Sequence, residues 1–348
     1  MRFTTYPSAC CPTPGGDCLR PCLPVQKARG AEKNLLPRRP LLMTLSLALC
    51  LALSLLPSQI LLSSEAQAAN AESSDVRESA PIVITDDTGA TLTFAQPVKK
   101  VIALYGAFNE IFLALGAGDL LVARTAADGN LPELAALPAI GTHMRPNAEL
   151  VLAQQPDVVL QLEGRSEAQT QTDNLRSLGL NVLTFEVNSF EKLFEVTETL
   201  GRLAGCEDKA QTLVNAWKRR MQALRSRNAG KPVARVFYEV RYPNLLAAGR
   251  GGISSEILAL AGGENVVSDS KKLVRYSEEA LIAADPDAYI IQKGPMNPAP
   301  TPLAERDHYR DLRAQRAGRV LIVDEDRFAR PGPRALDAAE ELDSWLHR

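Results

Sequence analysis

Two glutamates, Glu149 and Glu279, occupy the same position in a segment that occurs twice in the chain. The segment is NAELVLAQQPDVVL at residues 147–160 and SEEALIAADPDAYI at residues 277–290, so the two carboxylates are 130 residues apart. Each glutamate falls in the first turn of a predicted helix, where the helix dipole favours a negative charge. A repeat of this length, once in each half of the chain, indicates two similar lobes with a cleft between them.

Each copy of the repeat has the pattern of a helix, a turn and a strand. Asn147 and Ser277 are good N-caps, because a short polar side chain can accept hydrogen bonds from the free N–H groups of the first turn. Short apolar runs at residues 158–160 and 288–291 predict buried strands. Each copy is therefore one unit of an α/β layer fold. One side of the first helix is predicted to be apolar, formed by Leu150, Leu152 and Ala153.

The first 68 residues have the order of a secretory signal peptide behind an irregular preamble. Arg38 and Arg39 precede an apolar run at residues 41–56, and a small-x-small sequence follows at residues 66–68. This is the charged, apolar and A-x-A order of such peptides. A membrane anchor is the alternative, but the run is shorter than the ~20 residues that a helical span needs. We therefore predict export to the periplasm, either as a free protein or tethered to the membrane.

The charge and the cysteines of the mature chain narrow the function further. Removal of residues 1–68 leaves 32 Lys and Arg residues against 38 Asp and Glu residues, a net charge of −6. A nucleic-acid-binding protein would need a basic face, so no nucleic-acid partner is expected. Five of the six cysteines lie in the removed segment and Cys206 alone remains, so no disulfide can form within the mature chain.

The order of predicted elements gives the fold class. Strands that alternate with helices indicate parallel βαβ units, so we predict two Rossmann-like α/β lobes, joined by one long α-helix, with a ligand cleft between them. The long helix, residues 207–227, would be about 30 Å long and would restrict the cleft to small movements. The predicted regions are a signal peptide and preamble (1–68), a linker and N-terminal β-hairpin (69–97), an N-terminal α/β lobe (98–188), a helical connection (189–230) and a C-terminal α/β lobe (231–348).

Five segments occur in a characteristic order over residues 82–347. They are KKVIALYGAFNEIFLALGAGD (99–119), the first repeat, GGISSEILALAGGENVV (251–267), the second repeat and FARPGPRALDAAEELDSWLH (328–347). In these segments the chain resembles the periplasmic substrate-binding proteins of ABC importers that take up iron–siderophores, haem and cobalamin. The resemblance implies two α/β lobes joined by one long helix, a monomer without catalysis, and an inner-membrane ABC permease with its ATPase as partners.

The resemblance also gives the two glutamates a role. In the family that the chain resembles, one glutamate on top of each lobe meets arginines of the membrane permease, and those positions match Glu149 and Glu279. The alternative is that both are only first-turn acids that interact favourably with the helix dipole. Their equivalent positions in the two lobes, together with the resemblance, favour docking.

A ligand is expected between the lobes, at loops that follow strands, because open α/β sheets generally bind ligands there. The first such loop, residues 105–108, precedes a helix predicted at residues 109–115. Aromatic side chains can stack on a macrocycle and arginines can pair with anionic groups, although each can also be a solvated or packing residue. The arginines favour an iron–siderophore or haem over cobalamin. The candidate ligand-binding residues are Tyr105, Phe108, His143, Arg145, Arg165, Arg241, Tyr242, Arg275 and Arg330.

His143 and Tyr105 are the candidate axial ligands if the chelate is haem. His143 is one of only three histidines, and packing against the ligand or a place on the solvated surface are its alternatives. The sequence has no cluster of histidines and acidic residues that suits a naked metal ion. We therefore expect no resident metal and no cofactor, since a metal chelate would be cargo.

An exported two-lobed α/β enzyme, such as a metal chelatase, is the alternative function. The sequence contains no G-x-S-x-G nucleophile elbow, no G-x-x-x-x-G-K-[ST] phosphate loop and no H-E-x-x-H zinc motif, each of which would indicate a specific chemistry. The glycine-rich run at residues 249–252 lacks the Lys-Ser pair of a phosphate loop. The leading prediction is therefore a binding protein that delivers a metal chelate to a permease without catalysis.

Overall fold

The computed structural model describes residues 80–164 and 166–348, so the predicted signal peptide, most of the predicted linker and Arg165 lie outside the described residues. The described chain begins with an antiparallel hairpin of β1 (Ile82–Thr85) and β2 (Thr91–Phe94). Asp86 holds this hairpin in place, because its carboxylate accepts hydrogen bonds from the backbone N–H groups of Thr88 and Thr184, both at 2.9 Å.

The N-terminal lobe is built on a parallel four-stranded sheet with the order β4–β3–β5–β6. Its strands consist mainly of buried aliphatic residues, as expected for a parallel sheet that is covered on both faces. The strands are β3 (Val101–Ala103), β4 (Leu121–Ala123), β5 (Val158–Leu162) and β6 (Val182–Phe185). The helices of this lobe are α1 (Gly106–Ala114), α2 (Ala148–Ala153) and α3 (Ser166–Ser177).

The C-terminal lobe is built on a mixed six-stranded sheet with the order β10–β8–β7–β11–β12, in which β9 also pairs with β7. Strands β9, β7, β11 and β12 run parallel, and β8 and β10 add an antiparallel edge. The strands are β7 (Ala234–Arg241), β8 (Leu246–Ala248), β9 (Gly263–Asn265), β10 (Leu273–Arg275), β11 (Ala288–Lys293) and β12 (Val320–Asp324). The helices are α6 (Ile253–Leu260), α7 (Glu278–Ala284), α8 (Arg313–Arg316), α9 (Glu325–Phe328) and α10 (Arg334–Leu346).

Two helices connect the sheets, α4 (Phe190–Leu203) and α5 (Glu207–Asn228). In the described residues the chain passes from one sheet to the other once, through this connection. Helix α5 has 22 residues, which corresponds to ~33 Å. It is tied to α10 by Arg220, which pairs with Asp337 and Glu340. The predicted fold class, two α/β lobes joined by a long helix, is confirmed.

One continuous apolar core runs through both lobes and the connecting helices. It contains Phe108 of the N-terminal lobe, Trp217 of α5 and Tyr238 of the C-terminal lobe. Smaller separate cores cover the other face of each sheet. A wide separation of the lobes would expose part of the shared core at a cost of about 25 cal/mol per Å², which favours small movements of the cleft. None of the helices in the described residues combines the length and the apolar character that crossing a bilayer requires.

The two copies of the repeat have the same local structure. The side chain of Asn147 accepts hydrogen bonds from the N–H groups of the first turn of α2, and Ser277 does the same for α7, so both predicted N-caps are confirmed. Asp157 accepts from the backbone N–H of Lys100 at 2.9 Å, directly before β3. Asp287 accepts from the backbone N–H of Arg235 at 2.9 Å, in β7. The recurring Pro-Asp pair therefore ties each helical unit to the first strand of its sheet.

The apolar side of α2 differs from the prediction. Val151 is the residue of this helix that is fully buried, and Leu150 and Leu152 are exposed. The same arrangement occurs in α7, where Leu281 is buried and Ile282 is exposed. Each of these helices has only two turns and rests on its lobe through a single aliphatic residue, so the neighbouring aliphatic side chains face away from the core.

Candidate functional site

A cavity of about 180 Å³ lies between the lobes, lined by residues of both. The N-terminal lobe contributes Tyr105, His143, Met144, Leu162, Glu163 and Ala168. The C-terminal lobe contributes the polar or charged residues Ser254, Lys272, Gln292 and Glu325, together with Met296 and further apolar residues. The cavity is adjacent to the carboxyl ends of β3, β5, β7 and β11, which is where the strand order predicts a ligand.

Tyr105 and His143 form an aromatic wall of the cavity. Tyr105 directly precedes α1, and its ring meets the His143 ring edge-on, with 6.0 Å between the ring centres. The side chain of Gln161, in β5, donates a hydrogen bond to the backbone carbonyl of His143 at 2.8 Å and so fixes the loop. Burial raises the pKa of Tyr105 well above its ordinary value, although nearby Arg330 opposes this. At neutral pH the wall therefore presents the neutral phenol of Tyr105 beside the ring of His143.

Phe108 does not line the cavity, contrary to the prediction. Helix α1 begins at Gly106 and not at residue 109, so Phe108 lies on the inner face of a helix and not in a loop. Its ring is fully buried and packs against Phe185, with 6.2 Å between the ring centres, and against Tyr105 at 5.9 Å. Phe108 thus supports Tyr105 from within the core.

None of the four candidate arginines within the described residues lines the cavity, and Arg165 lies outside those residues. Arg145 is exposed and pairs with Glu167 at 2.6 Å. Arg241 ends β7, and Arg275 is exposed at the end of the edge strand β10. The charged side chains that do line the cavity are Glu163, Glu325 and Lys272. The four described candidate arginines therefore give no support to the expectation of an anionic ligand.

Arg330 belongs to a cluster of charges that joins the lobes. Its guanidinium pairs with Glu110 of α1 at 3.2 Å and with Asp326 of α9 at 2.6 Å. Glu110 also pairs with Arg334. Gly106 leaves room for this contact, because a Cβ there would lie too close to the guanidinium. In this structure Arg330 connects the two lobes, and both terminal nitrogens of its guanidinium already have carboxylate partners.

Tyr242 is packed on a buried ion pair. The guanidinium of Arg306 lies 4.0 Å from the centre of the Tyr242 ring and also donates a hydrogen bond to Glu239 at 2.9 Å. The Tyr289 hydroxyl donates to the same carboxylate at 2.6 Å. Sequence reasoning missed this network. Its one signal is Glu239 itself, because a charged residue in the middle of an apolar strand needs a partner.

The glycine-rich run at residues 249–252 holds Lys272 at the cavity. The backbone N–H of Gly249 donates to the carbonyl oxygen of Lys272 at 3.1 Å, and that of Gly251 donates to Lys271 at 3.3 Å. A Cβ at either glycine would clash with carbonyl oxygens of the facing segment. The glycines therefore serve the close approach of two chain segments, and these two N–H groups are not available to a phosphate.

The acidic side chains of the cavity differ in environment. Burial raises the pKa of Glu163 above its ordinary value, and the carboxylate of Glu186 raises it further. Glu325 accepts a hydrogen bond from the backbone N–H of Met296 at 3.2 Å. Among the described residues, no group of three or more His, Cys, Asp and Glu side chains is arranged to hold a metal ion.

Glu149 and Glu279 lie outside the cavity, at the starts of α2 and α7. Both side chains are exposed. One helical turn further on, each glutamate has an exposed aliphatic neighbour, since Leu152 retains 37% and Ile282 retains 44% of its accessible surface. Residues three apart share one face of a helix. Each lobe therefore presents one carboxylate beside one aliphatic side chain.

Two α/β lobes with a shared cleft and a helical connection fit a solute-binding protein, and comparison with known proteins gives the class. Residues 101–327 match the family model described as periplasmic binding protein, so the chain belongs to this family and the resemblance is confirmed. The chain is 29% identical over 270 residues to an uncharacterized ABC transporter substrate-binding lipoprotein, YvrC, of Bacillus subtilis. The aligned region covers 75% of this chain and 84% of that protein.

Two further comparisons involve proteins with named ligands. The chain is 25% identical over 256 residues to the vitamin B12-binding protein of Vibrio cholerae, and the aligned region covers 72% of this chain and 90% of that protein. Its fold matches the crystal structure of a periplasmic heme-binding protein from Pseudomonas aeruginosa with a TM-score of 0.62. That match has 26% identity and covers 71% of this chain and 92% of the other.

Proposed function

We propose that this chain is the substrate-binding component of an ABC importer, and that it captures a metal chelate and delivers it to an inner-membrane permease with its ATPase. The observation that carries the proposal is the cavity to which both lobes contribute, with Tyr105 and His143 on one side and Met296 on the other. A ligand that contacts both lobes changes the relative position of the lobes. A permease that binds both lobes can therefore distinguish the ligand-bound protein from the empty protein.

The cavity walls favour a neutral chelate over a polyanion. A chelate with several carboxylates would require arginines for bidentate pairing, whereas the charged lining consists of Glu163, Glu325 and Lys272. Cobalamin, with its many neutral amide groups, is therefore our first candidate, and the vitamin B12-binding relative supports it. Haem is the second candidate, for which Tyr105 or His143 would be the axial ligand.

The size of the cavity bears on how a chelate binds. Its volume of about 180 Å³ is below the roughly 300–1,000 Å³ of pockets that enclose drug-sized ligands. We therefore propose that the lobes separate slightly on binding and that part of the chelate stays outside the cleft. The core shared by the lobes limits this movement, so the change in overall dimensions is small.

We propose that Glu149 and Glu279 dock onto arginines of the permease. Both carboxylates are exposed at equivalent places of the two lobes. The exposed Leu152 and Ile282 would be covered in the same contact, which adds apolar burial to the two ion pairs. We also propose that the chain is exported by its N-terminal segment, acts in the periplasm, free or tethered, and is a monomer.

An absorbance titration of residues 69–348 tests the proposal. The probes are cyanocobalamin, haemin and a ferric hydroxamate siderophore. We expect one of them to form a saturable 1:1 complex from which the unchanged chelate is recovered. Failure of all three to bind would refute the metal-chelate function. Recovery of a demetallated or cleaved product would instead indicate the enzyme.

A further inference from the structure

Gln292 is a buried amide on the wall of the cavity. It lies in β11, near the carboxyl end of the strand, and only 1% of its surface is accessible. Its Nε2 makes no hydrogen bond to any part of the chain that the structure describes. Buried polar groups of folded proteins almost always have a partner, so an amide donor at the wall of a cleft indicates a partner that enters the cleft.

The orientation of this amide is determined by its neighbours. The hydroxyl of Tyr238, fully buried in the adjacent strand β7, donates a hydrogen bond to Oε1 of Gln292 at 3.2 Å. The backbone carbonyl of Gln292 accepts from the side chain of Asn297 at 2.9 Å. With Oε1 engaged by Tyr238, Nε2 is the end of the amide that has no partner. Nε2 has almost no accessible surface in this structure, so a ligand would reach it through the slight separation of the lobes proposed above.

The N-terminal lobe provides a contrast. Gln161 is also fully buried near the carboxyl end of a strand, β5. Both ends of its amide have partners within the protein, because Nε2 donates to the carbonyl of His143 at 2.8 Å and Oε1 accepts from the N–H of Leu162 at 2.9 Å. Gln161 does not line the cavity. A buried glutamine at a strand end is thus satisfied internally where it faces the protein.

We propose that Nε2 of Gln292 donates a hydrogen bond to a neutral acceptor oxygen of the bound chelate, such as an amide carbonyl, and so contributes to ligand specificity. This inference rests on the proposed function. A neutral donor recognises an acceptor without requiring a charge on it. The carboxyl groups of Glu163 and Glu325 outnumber the single ammonium of Lys272 in the same cavity, which favours a neutral carbonyl over a carboxylate as the fitting group.

Two substitutions of Gln292 and one control test the inference by titration with cyanocobalamin, haemin and ferrichrome. Gln292→Glu keeps an acceptor for the Tyr238 hydroxyl but replaces the donor by an acceptor, and Gln292→Met removes both. For a probe that binds the parent protein, we expect Gln292→Met to weaken binding on the order of tenfold and Gln292→Glu to weaken it further. Gln211→Met, an exposed change on α5, should leave the affinity unchanged.

The melting temperature of the ligand-free variants separates recognition from a structural role. Gln292→Met also leaves the buried Tyr238 hydroxyl without its acceptor, so we expect a modest fall in its melting temperature. We expect the variant to remain folded and the folded variant still to bind about tenfold more weakly, because Nε2 has no partner within the described chain. Equal affinity of Gln292→Met and the parent protein for a bound probe would overturn this inference and leave the proposed function intact. If none of the probes binds the parent protein, the proposed function fails and this inference fails with it.

Discussion

The buried pair of Glu239 and Arg306 is expected to be the most sensitive electrostatic site of the C-terminal lobe. The Glu239 side chain is 0% exposed and that of Arg306 is 2% exposed. Arg306 also donates a hydrogen bond to the carbonyl of Thr301 at 2.6 Å and stacks on Tyr242. Glu239→Ala would leave a guanidinium charge in the core without its anion. Breaking a buried pair from one side costs about 3–5 kcal/mol, so we expect the free energy of unfolding to fall by that amount.

Urea unfolding of the mature chain, followed by tryptophan fluorescence, measures this loss. An exposed pair serves as the control, since Arg250 and Glu264 lie 3.5 Å apart with side chains 52% and 61% exposed. Glu264→Ala should cost only about 0–1 kcal/mol, as is usual for surface ion pairs.

The double variant Glu239→Leu with Arg306→Met completes the test. Replacing both members of a buried pair by apolar residues is often neutral or stabilising, so we expect it to be more stable than Glu239→Ala alone. A loss below about 1 kcal/mol in Glu239→Ala would refute the reasoning. With Glu239→Leu and Arg306→Met also measured singly, a double variant whose loss is the sum of these two losses would refute it as well, because residues in contact should show coupling.

Three further predictions concern docking, the cavity wall and acid stability. Glu149→Ala and Glu279→Ala should reduce transport in cells without changing ligand affinity in solution, and intact transport would contradict permease docking. With haemin as the probe, Tyr105→Phe or His143→Ala should remove the shift of the Soret band, and unchanged spectra in both variants would exclude axial ligation by either residue. The pKa of Asp287 is lowered below its ordinary value. Burial alone would raise this pKa, but hydrogen bonds from the backbone N–H of Arg235 and from the Arg313 guanidinium outweigh that effect. A carboxyl with a lowered folded-state pKa stabilises the fold above its unfolded pKa, and this contribution disappears as the pH falls through the folded value. Asp287→Asn should therefore be less stable than the parent protein at pH 7 and about as stable at pH 2, and a difference independent of pH would contradict this account.

The architecture was predictable because its signals are local. The N-caps at Asn147 and Ser277, the Pro-Asp pairs and the long helix α5 are each encoded within one or two turns of chain. The repetition of the cap and the Pro-Asp pair at a spacing of 130 residues was enough to predict two lobes. Caps, Pro-Asp pairs and hydrophobic periodicity each act over a few residues, so they can be recognised before the tertiary structure is known.

The lining of the cleft was much less predictable, because long-range contacts determine which side chains remain available. Arg330 was expected to face a ligand, but it pairs with Glu110, 220 residues away in the chain. Helix α1 begins three residues before its predicted start, so the Phe108 side chain points into the core. Lys272 reaches the cavity only because the glycines at residues 249–252 let another segment approach closely.

Gln292 shows the same division between local and distant causes. Its place near the carboxyl end of the apolar strand β11 is local information, and a ligand was expected at the loops that follow strands. The Tyr238 hydroxyl, which comes from another strand, occupies Oε1 of Gln292 and leaves Nε2 as the donor without a partner. Sequence pattern thus determines the strands and helices, whereas the availability of a polar group at the site is decided when distant segments form their ion pairs and hydrogen bonds, since these contacts use up donors and acceptors that a ligand could otherwise engage.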